Sequence, residues 1–307
     1  MKGIRNAGLL FSLASLTGCG GDSEPAEMTC GDSDDGELGA NNELATSPQV
    51  KFGQTVRGCV DGQGDKDFYY FTAGSNKAGG FVTAELVNKG GSRVQLSFYL
   101  VEGTGLIRTF ESAPMEGLTG YLAVVPAVQY GVRVSHSLVT DFPSGGYGYE
   151  LKLKHTDVED RHEPNDFEAS PASIGKNSPI KARMFAGHEV PPVPRTAIDP
   201  PLPVDYDDWY KVKLNAGTAG IAVSDVPKNV AVRIELRDPK GNEIACPVSS
   251  CIGMTGMDLV VEPIPVTAGE HLLRVTRIGQ PEVEAAAIGV TPPVNFTDDY
   301  VVEVRQE

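Results

Sequence analysis

Positive charge is scarce in this chain. Lys and Arg number 26 against 41 Asp and Glu, and the formal net charge of the 307 residues is −15. A surface of that sign repels phosphate backbones and anionic headgroups, which excludes nucleic acid as a partner. Long apolar runs are missing too. The N-terminal "AGLLFSLAS" is too short to span a bilayer. Catalytic signatures are also lacking: there is no GxSxG elbow, no phosphate-cradling glycine loop and no dinucleotide fingerprint. The five histidines, His136, His155, His162, His188 and His271, are scattered. "HEPND" and "HEVPP" each begin like a zinc-protease helix, but no second histidine follows and proline stops the helix. The expectation is a non-enzymatic protein. A hydrolase whose Ser, His and acid meet only in space is the least favoured alternative. No stretch beyond the N-terminus keeps a helical period.

What the chain does have begins at its N-terminus. Lys2 and Arg5 precede the apolar stretch, and "LTGC" ends it at Cys19. This resembles a bacterial lipobox. The resemblance implies a signal peptide over 1–18, covalent lipid on Cys19 and a membrane partner reached through that anchor. Gly20 and Gly21 follow the cysteine, where aspartate would favour the inner membrane. The expected location is therefore the cell outer membrane, facing the periplasm or the surface. Residues 19–44 read as an acidic flexible tether, with eight acids from Asp22 to Glu43 and no base. Such a segment cannot bury enough apolar surface to order itself, and spans about 25–30 Å root-mean-square.

Apart from Cys19, four cysteines remain: Cys30, Cys59, Cys246 and Cys251. An even count in an exported chain favours disulfides. "CPVSSC" brackets a turn, which pairs Cys246 with Cys251 and leaves Cys30 for Cys59. A metal site is the rival, but there is no CxxC spacing and no histidine beside them.

From residue 45 onward apolar and polar residues alternate. Tyr147, Tyr149, Leu151 and Leu153 share one face of "YGYELKLKH". Val230, Val232, Ile234 and Leu236 do so in "VAVRIELRD", with Arg233, Glu235 and Arg237 outward, and Tyr300, Val302 and Val304 follow suit. With 35 Gly and 22 Pro at the gaps, this predicts an all-β chain of antiparallel sandwiches, jelly-roll-like, behind the tether. The chain also repeats itself. "GDKDFYYFTA" matches "DYDDWYKVKLNA", and "YGVRVSH" matches "HLLRVTR". Phe68 and Trp209 lie 141 residues apart, as do Arg133 and Arg274. The domains expected are 45–157 and 158–307. The second has gained "EVPPVPRTAIDPPLPV" before its first matched strand and "QPEVEAAAIGVTPPVNFT" before its last. The "NFT" at 295–297 matches a glycosylation acceptor by chance.

"EPND", the aspartate-rich turn into Trp209–Tyr210, "ELRDPKGNEIA", "TAGEHLLRV" and "DDYVVEV" together resemble the bacterial pre-peptidase C-terminal (PPC) domain. The resemblance covers 158–307 well and 45–157 more faintly, with "GANNE" in place of "EPND". It implies a compact β-sandwich. It also implies calcium as a cofactor of the second domain, held by Glu163, Asn165 and Asp166 on one side and Asp205, Asp207 and Asp208 on the other. Ca²⁺ takes six to eight oxygen ligands of these kinds. The alternative is that Asn165 and Asp166 cap a turn while the aspartates are solvated. Asn41, Asn42, Asp65 and Asp67 are the weaker set in the first domain. The function expected is an accessory, structural or adhesion-type binding subunit of the cell envelope, with an envelope or surface protein as partner. Pro191, Pro192, Pro194, Pro200, Pro201 and Pro203 would stiffen a partner-binding loop. The alternative partner is a glycan or matrix protein, bound by a calcium-stabilised module, as the related collagenase modules suggest.

Overall fold

Alternation is what builds the sheets. A computed structural model describes residues 41–62, 64–74, 80–101, 105–124, 128–137, 146–158, 160–163, 165, 167–183, 207–244, 251–278, 286–287 and 292–307. The signal peptide, most of the tether, Cys19, Cys30, Asp166, the proline-rich insertion with Pro191, Pro192, Pro194, Pro200, Pro201 and Pro203, Asp205 and Cys246 lie outside the described residues.

The first sandwich is built from β1 (Thr55–Val60), β2 (Lys66–Thr72), β3 (Gly80–Asn88), β4 (Val94–Leu100), β5 (Leu106–Ser112), β6 (Gly117–Val124), β7 (Gln129–His136) and β8 (Tyr147–Asp157). One sheet runs β1-β8-β3-β6 and the other β2-β7-β4-β5, all antiparallel. Tyr147, Tyr149, Leu151 and Leu153 are fully buried between them, as their spacing predicts.

The second sandwich uses β9 (Ala172–Ile174), β10 (Ile180–Ala182), β11 (Asp207–Leu214), β12 (Gly217–Ser224), β13 (Ala231–Arg237), β14 (Leu259–Val266), β15 (Gly269–Ile278) and β17 (Tyr300–Arg305). Between β15 and β17 come β16 (Ala286–Ala287) and one helical turn, α1 (Val294–Thr297). The sheets run β10-β17-β12-β14 and β13-β15-β11-β9. Its core holds Val230, Val232, Ile234, Leu236, Tyr300, Val302 and Val304, again as the alternation predicts.

The repeat is visible in the register. Phe68 faces Arg133 across β2–β7, and Trp209 faces Arg274 across β11–β15. In both copies a short segment runs parallel beside that strand, just past the aromatic. Gln49 bridges Tyr70 in the first copy, and β9 starts with Ala172 opposite Tyr210 in the second.

Two features depart from a simple reading of the sequence. Glu235, outward by parity, is only 8% exposed because Arg237 and Arg274 lie over it. Part of the second insertion joins the first sandwich. Its β16 pairs antiparallel with β6, adding a fifth strand to a sheet of the first sandwich. Asn295 of "NFT" is fully buried and accepts a hydrogen bond from Asn229 at 2.6 Å, so its amide is no glycan acceptor in the folded chain.

Candidate functional site

The midpoint segment "RHEPNDFEAS" opens the second sandwich, and its conformation follows from its side chains. Asp160 accepts from the backbone N–H of His162 at 2.8 Å, and Glu163 accepts from that of Asn165 at 3.1 Å. These short-range bonds replace a helix with a turn. The carbonyl of Asn165 then accepts from the Trp209 N–H at 2.8 Å. The chain thereby delivers Asn165 to the start of β11, where Asp207, Asp208 and Tyr210 lie. In the first copy the Asn41 carbonyl accepts from the Phe68 N–H at 2.7 Å, which makes Asn41 the counterpart of Asn165.

Behind each asparagine lies a buried polar relay. In the first sandwich Asn41 Nδ2 donates to Tyr69 Oη at 3.3 Å, Tyr69 Oη lies 2.7 Å from Tyr149 Oη, and Tyr149 donates to Asp67 at 2.8 Å. A phenol carries one proton. Since Tyr149 gives its own to Asp67, Tyr69 must donate to Tyr149. In the second sandwich Tyr210 Oη lies 2.7 Å from Tyr300 Oη, and Tyr300 donates to Asp208. Asp67 and Asp208 are each 1% exposed. Burial, with the adjacent carboxylate adding to it, pushes the Tyr149, Tyr210 and Tyr300 hydroxyls well above the ordinary phenol range, so they remain donors. Gly58 stands opposite Tyr149 on β1, and a Cβ there would lie 2.2 Å from Tyr149 Oη. The glycine is what admits the relay.

Each copy carries an arginine on an aromatic on the outer face of the same strands. In the second, Trp209 is flanked by Arg237 at 5.0 Å and Arg274 at 5.3 Å. Arg274 pairs with Asp207 at 2.5 Å and with Glu235 at 3.4 Å, while Arg237 pairs with Glu235 at 2.6 Å and Glu168 at 2.7 Å. In the first copy Arg133 sits 5.2 Å from the Tyr99 ring and 6.0 Å from Phe68, and its guanidinium donates to Ser97 at 3.3 Å.

The expected calcium set is thus partly placed. Glu163 and Asn165 arrive beside the start of β11, with Asp207 and Asp208 on it. Asp208 also accepts from Tyr300, and Asp207 from Arg274. Neither is a solvated surface acid: Asp208 is buried and the Asp207 side chain is 21% exposed. Asn165 Oδ1 and Asp207 Oδ1 are buried without a hydrogen-bond partner among the described residues. Among those residues no three His, Cys, Asp or Glu side chains group as a metal site. The four described candidates offer oxygen alone, the donor chemistry of a hard cation. Asp65 of the weaker first-domain set spends its carboxylate on the N–H groups of Asp61 and Lys66. Cys59 and Cys251 are buried, and neither is a free thiol. The tyrosine relays were missed by sequence reasoning, although the buried parity of Tyr149 and Tyr300 and the paired Asp67 and Asp208 were visible.

No family model matches the chain, and no curated protein matches it. Solved structures similar to it include the pre-peptidase C-terminal domain of a collagenase from Bacillus anthracis, at 16% identity over 37% of this chain and all of that one, TM-score 0.30. Others are a carbohydrate-binding module, CBM36, in complex with calcium and xylotriose (8% identity, 35% of this chain, 93% of that one, TM-score 0.23) and a secreted protein from Eubacterium rectale (14%, 91% and 86%, TM-score 0.25). Identities this low concern the fold alone, and TM-scores this low carry no argument about function. The fold is all-β with antiparallel sandwiches.

Proposed function

We propose that the chain is a non-enzymatic lipoprotein of the outer membrane, an accessory, structural or adhesion-type binding subunit of the cell envelope. The observation that carries this reading is the use made of its polar residues. The buried acids and phenols of both copies are spent on holding each sandwich closed, and the outer arginines are spent on aromatics and acids. The lipobox at Leu16–Cys19 and the acidic tether supply the anchor and the spacing. Within this reading Cys30 pairs with Cys59 and Cys246 with Cys251. The test is fractionation of Cys19→Ala. We predict loss of the chain from membranes to the soluble fraction; retention at the wild-type level would remove the anchor.

Calcium in the second sandwich is a further part of the reading, supported by the partnerless oxygens of Asn165 and Asp207. When bound, the ion would supply charge that satisfies these oxygens and braces the segment's start against β11. The glycan alternative calls for a row of exposed aromatics. Among the described residues the exposed aromatics are Phe52 and Phe167, one in each copy, which does not favour it.

A further inference from the structure

We propose that residues 286–287 and 292–297 form a latch that couples the two sandwiches, so that they unfold as one unit. Phe81, Tyr121 and Ala123 lie on the outer face of the β3–β6 region, the side turned away from the first core. An isolated sandwich would leave them to solvent, yet they are only 5%, 5% and 6% exposed. Their cover is Phe296 of α1 together with Val158 of the linker, 2% and 1% exposed. The Phe81 and Phe296 rings lie 5.4 Å apart. Upstream of α1, the backbone of Ala286–Ala287 extends the β6 edge opposite Leu118 and Thr119.

The other side of α1 is fixed to the second sandwich. Arg183, just past β10, donates to Asp299 at 2.6 Å and to the Phe296 carbonyl at 3.4 Å. Its backbone N–H donates to Asp160 of the linker at 2.7 Å. Asn229 holds Asn295. One helical turn is therefore held by polar bonds on one side and by apolar packing on the other. An apolar interface with strand pairing opposes the free relative motion that polar domain contacts allow. The arm that does this belongs to the insertion found in the second copy alone.

Trp209 is the single tryptophan of the chain and reports on the second sandwich only, whereas far-ultraviolet circular dichroism reports on both. In the full chain we expect the two signals to melt at one midpoint. Phe81→Ala, a change on the outer face of the first sandwich, should separate them and lower the Trp209 midpoint by several degrees. Phe296→Ala should do the same. Should that variant fail to fold, Phe81→Ala decides alone, because its side chain lies outside the first core. A Trp209 midpoint unmoved by Phe81→Ala, or two midpoints already in the wild type, would overturn the coupling.

Discussion

The two copies share a register and differ in what stands on it. Around Phe68 in the first copy are Arg133, Ser97 and Tyr99, and hydrogen bonding and ring stacking serve the arginine. Around Trp209 in the second are Arg274, Glu235 and Arg237 at the same strand positions, joined by Asp207 and Glu168. At matching strand positions the first face holds Arg133 among neutral partners and the second an ionic cluster. The relays beneath are alike in their asparagines: Asn41 donates to Tyr69 at 3.3 Å, and the Asn165 amide faces Tyr210 in the same way. What closes each sandwich is alike in the two copies, and the outer groups over it differ.

The largest expected effect tests whether the relays are equivalent. Asp67→Ala and Asp208→Ala each leave a buried tyrosine hydroxyl without its acceptor, a loss of about 1–3 kcal/mol. Urea denaturation should give similar losses for both. A loss confined to one variant would show that the relays do not do the same work. Calcium should bind in the second copy, and its stabilisation should reach both through the latch. Adding it in place of chelator should raise the Trp209 melting midpoint, by about 2–4 °C per kcal/mol of linkage. Asp207→Ala, which spares the relay, should abolish the rise. Identical curves in calcium and in chelator would leave the Asn165 and Asp207 oxygens without that explanation. The smallest effect concerns the outer faces. Arg274→Gln should cost about 0.5–1 kcal/mol, since its pairs are partly solvent-exposed, and the loss should shrink in high salt. Arg133→Gln should show little salt dependence. Equal salt sensitivity would erase the distinction between a neutral and an ionic face.

Much of the architecture was legible because it is local and periodic. Period-two alternation placed Tyr147 to Leu153 and Tyr300 to Val304 in the cores, and the shared spacing of Phe68–Arg133 and Trp209–Arg274 located the repeat. The relays were illegible as relays. Tyr149 reaches Asp67 across 82 residues and Tyr300 reaches Asp208 across 92, and no pattern along the chain signals such a meeting. Asn41 could not be matched to Asn165 by offset, because the proline-rich insertion falls between Asn165 and Trp209. Glu235 followed the parity rule for direction but not for exposure, since its cover comes from Arg274 on another strand. The latch escaped for a similar reason. Two alanines have no periodicity, and nothing along the chain joins Phe81 to Phe296, about 215 residues later.

The strand added to β6 also bears on solubility. A sheet edge presents unsatisfied N–H and C=O groups to any chain that can lie beside them. The first sandwich ends its β1-β8-β3-β6 sheet at β6, near the apolar Phe81 and Tyr121. Residues 286–287 occupy part of that edge from within the same chain. Cutting the copies apart would leave an open edge next to bare aromatics, the combination that seeds edge-to-edge aggregation. The second copy thus serves the first as a built-in guard against self-association.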